Sequence, residues 1–382
     1  MDFEFDAESE LLRSTAREFA LGEVAPVAGE LDREKRFPYE IVRAMGELGW
    51  MGIPFPSEVG GAGGTTLQYA LVVEELARVD SSVAITLCAH TSLGVQPIWL
   101  FGSAEQRERL LPDLCAGRRL GAFGLTEPQA GSDAGNTRTR ARLEDGEWVI
   151  DGAKQFITNA GTEISGHVAI TAVTGERPDG RAEISNLIVE NGTPGYDPGE
   201  PYRKMGWHAS DTRPLSFTEC RVPYESLLGA RGQGLAQFLA VLDGGRIGVA
   251  AMGVGLAQGA LDEALAYAGQ RVAFGRRISA FQAIQGKLAD MATEIQAARL
   301  LTYQAAWQKD RGRDFTLTAA QAKLKSGRLA VRCAEEAVQI HGGYGYIEEQ
   351  PVCRMYRDAK ILTIGEGTDE IQQMVIARAL GA

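Results

Sequence analysis

The chain has 382 residues, 45% of them hydrophobic and 23% charged, which at roughly 150 residues per domain suggests two or three globular units with large cores. The 39 Lys plus Arg against 50 Asp plus Glu give a formal charge of −11, a balance that repels phosphate backbones and argues against nucleic-acid binding. No apolar run approaches the roughly 18 to 20 residues of a membrane span, and the acidic start Met1-Asp2-Phe3-Glu4-Phe5-Asp6 fits neither a secretory signal nor a transit peptide.

Residues 1–120 read as a helical domain. Leu11, Leu12, Ala16, Phe19 and Ala20 keep helical spacing, and so does the stretch around Leu71, Val72, Glu74, Glu75 and Leu76. Pro54 to Gly64 is too rich in Pro and Gly for regular structure, and Pro112 is expected near a helix start. Residues 121–229 read as an antiparallel β domain. Asp145-Gly146, Asp151-Gly152 and Asp179-Gly180 offer the positive φ angles of tight hairpins between short apolar runs at 148–150, 167–170 and 186–189.

Residues 230–382 return to helical spacing and read as a C-terminal helical bundle. Phe281, Ile284, Leu288, Met291, Ile295, Ala298, Thr302 and Ala305 define one seam; Leu317, Ala320, Leu324, Gly327, Val331, Ala334 and Val338 define another. The first bundle helix carries Gly244, Gly245, Gly248, Gly253, Gly255 and Gly259. Each costs about 1 kcal/mol of helix propensity against Ala, so close backbone packing on another helix or a flat ligand is expected, the helix at most of them. The fold class is therefore α+β, in the order helical, β, helical.

The four histidines have no metal-ligand spacing, and neither a nucleophile elbow nor a P-loop is present. Gly253-Val254-Gly255 with Gly259 imitates a dinucleotide fingerprint, but its last glycine comes one residue late and lies within a helix. The five scattered cysteines, with no Cys-x-x-Cys, fit reduced thiols.

Three segments carry more. Phe123 to Asp133 reads Phe-Gly-Leu-Thr-Glu-Pro-Gln-Ala-Gly-Ser-Asp, a fixed loop with donors for an oxygen-rich ligand. Lys154-Gln155-Phe156-Ile157-Thr158-Asn159 sets an aromatic beside a hydroxyl on a strand. Ile364-Gly365-Glu366-Gly367-Thr368-Asp369-Glu370-Ile371 places a carboxylate between two glycines, with Thr368 as a helix cap. Taken alone, Gly-Glu-Gly is more often a solvated loop acid than a catalytic one.

Together with Asp243-Gly244-Gly245-Arg246, Arg271-Val272-Ala273-Phe274-Gly275, Phe281-Gln282, Gln339-Ile340-His341-Gly342-Gly343-Tyr344-Gly345 and Arg357-Asp358-Ala359-Lys360, these segments stand in an order that resembles the acyl-CoA dehydrogenase family over essentially the whole chain. The resemblance implies FAD-dependent oxidation of an acyl-CoA thioester to the trans-2-enoyl-CoA, with electrons passed to electron-transfer flavoprotein. By similarity, Phe123, Leu125, Thr126, Gly131, Ser132, Phe156, Ile157 and Thr158 hold FAD from the β-domain side. Arg271, Phe274, Gln282, Gln339, Gly342 and Gly343 hold its distal part from a neighbouring subunit, and Thr368 and Glu370 also match cofactor positions. A shared site implies a homo-oligomer, in this family usually a tetramer.

Ser132, Leu242, Asp243, Arg246 and Gly367 match substrate positions, and Glu366 matches the catalytic base. Some relatives carry the base on the first bundle helix instead, where this chain has Gly245. The family commonly has Trp at the position of Phe156, which leaves any role of that Trp in electron exit open here. An oxidase passing electrons to O₂ and a non-catalytic helical scaffold are the alternatives. A bacterial cytoplasm is the expected compartment, ahead of a mitochondrial matrix.

Overall fold

The computed structural model describes residues 4–382; the first three residues of the acidic start lie outside them. Helices α1 (Ala7–Phe19), α2 (Ala25–Glu34), α3 (Tyr39–Glu47), α4 (Thr66–Val79), α5 (Ser81–Ala89), α6 (Gln96–Phe101) and α7 (Ala104–Cys115) come first. Pro112 lies inside α7, not near its start. The start is marked instead by Ser103, whose hydroxyl accepts from the Gln106 amide while the Gln106 side chain accepts from the Ser103 amide.

Strands β1 (Leu120–Gly124), β2 (Arg140–Glu144), β3 (Glu147–Thr158), β4 (Ser165–Glu176), β5 (Ala182–Glu190), β6 (Tyr196–Pro198), β7 (Thr212–Pro223) and β8 (Leu227–Leu228) form one sheet in the order β6-β7-β3-β2-β4-β5-β8, with β1 also paired to β4. Pairing is antiparallel except that β1 and β2 run parallel to β4. Asp145-Gly146 turns β2 into β3, and Asp179-Gly180 lies between β4 and β5. Asp151-Gly152 is no hairpin: it falls inside β3, where the register against β7 shifts and Gly152 takes a positive φ. Asp-Gly supplies the same backbone freedom to a bulge as to a turn.

Helices α8 (Gly234–Gln270), α9 (Gln282–Asp310), α10 (Thr316–His341), α11 (Pro351–Ala359) and α12 (Asp369–Ala379) complete the chain. Helix α8 packs on α10, α4 and α9. Two helical stretches, Ser81–Phe101 and α8, are long and apolar enough to cross a membrane by length and composition, contrary to the sequence expectation. Small Gly, Ala, Ser and Thr residues interrupt their apolar character without lowering it far. Over their most apolar windows, 78% and 72% of the residues are buried inside the protein, so they serve as core helices.

The α9 seam is as the spacing predicts from Met291 to Ala305. On α10 the expected seam is buried at Ala320, Gly327 and Ala334, but Leu324, Val331 and Val338 are only half-buried, and the covered face widens to include Lys323, Ser326, Ala330 and Ala337. Small residues there let α8 come close, with the Gly253 position against Ser326.

The glycines of α8 have physical partners. A β-carbon on Gly255 would stand 2.1 Å from the Glu74 carbonyl, and one on Gly259 would stand 2.0 Å from the Arg78 carbonyl. Both pairs step by four residues, so α8 and α4 meet backbone to backbone over a full turn. Gly255→Ala gains about 1 kcal/mol of helix propensity, yet it forces these helices apart. We expect a net loss of roughly 1–3 kcal/mol, checked by thermal melts.

The Arg357-Asp358 pair fastens the three regions together. Arg357 forms an ion pair with Asp32 of α2 and donates to the Met205 carbonyl at 3.3 Å. Asp358 accepts from the Trp207 amide at 2.7 Å and the Ser81 hydroxyl at 3.1 Å. The β domain is thereby held against the bundle.

Candidate active site

After α11, a short 3₁₀ turn (Lys360–Thr363) leads into the Gly-Glu-Gly segment and Thr368 caps α12, its hydroxyl accepting from the Ile371 amide at 3.4 Å. Glu366 has φ +51° and Gly367 φ +91°. For a glutamate this left-handed conformation costs energy and persists only when neighbours enforce it. It turns the side chain inward: both carboxylate oxygens are shut off from solvent and, among the described residues, accept no hydrogen bond.

The wall opposite is α8. A β-carbon at Gly245 would lie 2.5 Å from Glu366 Oε2 and 3.6 Å from Leu93 Cδ2, so the missing side chain of Gly245 is the space the carboxylate fills. Arg246 is buried beside it, ion-paired to Asp243 and with its Nε unpartnered among the described residues. Burial pushes the Glu366 carboxyl up to about 7, although Lys323 and Arg246 pull it down. An unpartnered buried carboxylate poised near neutrality has the properties of a general base.

Gly245→Ala tests the shared space. The obstructing atom is the far end of a flexible side chain, so the helix can accept the methyl if the carboxylate moves. We expect unchanged or raised thermal stability together with at least about a tenfold slower reaction, the cost of displacing a base by an ångström or so.

Thr126 and Phe156 come together because the Gln155 amide donates to the Thr126 carbonyl at 2.9 Å. Phe156 has φ +61° and is 65% exposed, its ring lying 5.2 Å from that of Tyr202. Thr158 is half-buried, and a β-carbon on Gly131 would meet open space. An available aromatic face, a hydroxyl and an open glycine loop suit a flat cofactor with a polyhydroxy chain. Ile157 turns its side chain into the β-domain core and Leu125 is buried at the junction of the domains. Phe123 stacks on Phe238 at 4.0 Å, and Leu242 packs in the same cluster.

Arg271, Gly342 and Gly343 line a separate concavity of about 460 Å³ with Tyr267, His341 and Tyr344. Phe274, at the tip of a small hairpin formed by β9 (Val272–Ala273) and β10 (Arg276–Arg277), is 96% exposed. Gln282 opens α9 and Gln339 stands in the last turn of α10. None of residues 123–158 lines this concavity, so these groups and the 126–133 loop present two surfaces. Thr368 and Glu370 flank a third hollow with Arg328 and Lys360.

Two features escaped sequence reasoning. Glu127 and Lys154 form a buried ion pair at 2.7 Å beneath the 126–133 loop. Lys323 reaches from α10 to the Gly367 carbonyl at 2.7 Å. The expected α10 seam runs past Lys323 without including it, so the spacing carried no signal for the second.

Three acyl-CoA dehydrogenase family models match the chain: the N-terminal domain over residues 6–118, the middle domain over 122–220 and the C-terminal domain over 232–381. A probable acyl-CoA dehydrogenase of Bacillus subtilis is 50% identical over 380 residues, covering 100% of both chains. The structure of butyryl-CoA dehydrogenase from Megasphaera elsdenii has a TM-score of 0.96 at 44% identity, again over 100% of both. A chain in a structure described as the electron transferring flavoprotein of Acidaminococcus fermentans has a TM-score of 0.96 at 43% identity, over 100% of this chain and 99% of that one.

Proposed function

The chain belongs to the acyl-CoA dehydrogenase family, and from that premise we propose that Glu366 removes the α-proton of a short, straight-chain acyl-CoA thioester to give the trans-2-enoyl-CoA. The chain is an FAD-dependent oxidoreductase acting on acyl-CoA, with electron-transfer flavoprotein as its electron acceptor. The observation that carries the residue assignment is the solvent-shut, unpartnered Glu366 carboxylate in the space left by Gly245. A short substrate is favoured by similarity to the butyryl-CoA enzyme.

Thr126, Gly131, Ser132, Phe156 and Thr158 would hold FAD on the β-domain side, with Ile157 contributing backbone only and Phe123 and Leu125 shaping the floor. Arg271, Phe274, Gln282, Gln339, Gly342 and Gly343 would receive the distal part of a second subunit's FAD, in a homotetramer. The bound flavin supplies the hydride acceptor for the β-carbon. Leu242, Asp243, Arg246, Ser132 and Gly367 would border the thioester.

The protein's own part is to seat the thioester with its α-carbon against Glu366. It keeps water away from that carboxylate and takes up the proton on one of its oxygens. Exclusion of water does two things at once, raising the basicity of the carboxylate and strengthening any polarisation of the thioester carbonyl. The electron pair of the broken α-C–H bond becomes the carbon–carbon double bond, while the β-hydrogen leaves with its own pair as the hydride that the bound flavin would accept. Fatty-acid β-oxidation in a bacterial cytoplasm is the setting we favour, on the strength of the bacterial relatives.

The reaction requires ionised Glu366, whose carboxyl stands near 7. Flavin reduction by butyryl-CoA under anaerobic conditions should therefore slow tenfold per pH unit below about 7, with a plateau above. A rate independent of pH between 5 and 8 would remove Glu366 from the role of base.

A further inference from the structure

We propose that Lys323, assisted by Gln372, is the positioning residue of this site, holding the Gly-Glu-Gly segment in the strained conformation that aims Glu366 inward. The proposal rests on the assignment of Glu366 as the base. Lys323 is fully buried, and its ammonium donates to the Gly367 carbonyl at 2.7 Å. Gln372, also fully buried and one turn into α12, donates to the same carbonyl at 3.0 Å and to that of Glu366 at 3.2 Å. Two donors from two helices thus grip consecutive carbonyls where φ is +51° and +91°. A loop of Gly, Glu and Gly has little intrinsic preference for one conformation, so the grip has to come from outside it.

The ammonium also acts through its field. Around the Glu366 carboxylate stand Lys323 of α10, Arg246 of α8, and the neutral Tyr69 of α4 and Cys88 of α5. Around Lys323 stand Asp369, Glu366, Arg246 and Glu370. Burial raises the Glu366 carboxyl, and Lys323 is the first of the two charges that oppose it. Without that charge, the base would take up its proton at a higher pH. A purely structural lysine would alter stability and leave that titration where it is.

Lys323→Met keeps the length of the side chain and removes both the charge and the donor. Gln372→Met removes the other donor and leaves the charge. Both would be prepared as FAD-loaded enzyme beside wild type and Glu366→Gln, with flavin reduction by butyryl-CoA followed from pH 5.5 to 9. Carbon-13 NMR of labelled glutamate would report the carboxyl titration in the absence of turnover.

For Lys323→Met we expect kcat at pH 7 to fall at least tenfold with KM within threefold. The acid limb and the Glu366 carbon signal should both move upward by about one pH unit. Gln372→Met should lower kcat with the limb in its wild-type place, and it decides the gripping role should Lys323→Met fail to load FAD. Wild-type kcat in both variants, an unmoved limb and carbon signal in Lys323→Met, or a loss confined to KM would overturn the proposal while an inactive Glu366→Gln left the base assignment standing. An active Glu366→Gln would instead overturn the assignment beneath it.

Discussion

Glu366→Gln is expected to retain FAD and acyl-CoA binding while the rate of flavin reduction by substrate falls at least about a thousandfold, within the range that a positioned general base contributes. The amide fills the same space against Gly245 but has no basic oxygen at neutral pH. The same substitution carries a second, independent signature in stability. A glutamate has an ordinary value near 4.5, and burial pushes this one up to about 7. Between those two values the folded protein binds a proton that the unfolded chain does not, so stability declines as pH rises from about 4.5 to 7. Glutamine has no such titration. The variant should therefore be more stable than wild type above pH 7, by an amount on the order of 3 kcal/mol at most. The gap should close as pH approaches 4.5. Melting curves of the two proteins at pH 5 and pH 8 separate the outcomes. A variant that is less stable at pH 8 would mean that the carboxylate is stabilised by its site, contrary to its lack of hydrogen-bond partners.

Much of this was legible in the chain, and the reasons differ from element to element. The order helical, β, helical follows from where the turn signals cluster, because Asp-Gly between apolar runs reports local backbone freedom. What that freedom serves is decided by pairing partners far away, which is why Asp151-Gly152 became a bulge against β7. The large residues of the α10 seam were misplaced for a related reason. A template that counts Leu324 and Val331 as core ignores that small residues permit closer packing, and Lys323 occupies a covered position because a carbonyl of the Gly-Glu-Gly segment meets it.

Glu366 itself was recognisable only through the joint pattern of motifs. Its three-residue context reads as an exposed acid. The wall that buries it comes from Gly245, a residue whose contribution is the absence of a side chain. Phe156 illustrates the opposite limit: an aromatic on a strand reads as core, yet a positive φ and a register shift rotate its ring outward.

Glu127→Gln is expected to be the most destabilising single change near the site, at roughly 3–5 kcal/mol, because it breaks a buried pair and strands the surviving charge. Burial would by itself raise the Glu127 carboxyl. Lys154 at 2.7 Å, the Arg138 amide at 2.7 Å and the Thr139 amide at 3.1 Å reverse that effect and hold it near 2. Gln129 donates to the same group at 2.6 Å. Lys154 is less well served, since burial pushes it down to about 8 against the attraction of Glu127, and its remaining partner is the Thr171 hydroxyl at 3.0 Å.

The asymmetry has consequences in three measurements. Lys154→Met should cost less than Glu127→Gln, because three donors stay on the carboxylate, whereas the glutamine amide turns a donor toward groups that are themselves donors. The double variant should recover part of the Glu127→Gln loss, since it leaves no buried ammonium. In wild type, the stability contributed by Glu127 is complete above about 4.5 and disappears as pH falls through about 2, so Glu127→Gln should flatten the acid side of the stability profile over that window. Glu127 also ties the 126–133 loop to β3 through Lys154. FAD should therefore dissociate faster from Glu127→Gln than from wild type at temperatures where both are folded. Equal melting temperatures, or a greater loss in Lys154→Met than in Glu127→Gln, would show that the pair is held by packing and not by the donors gathered on its acid.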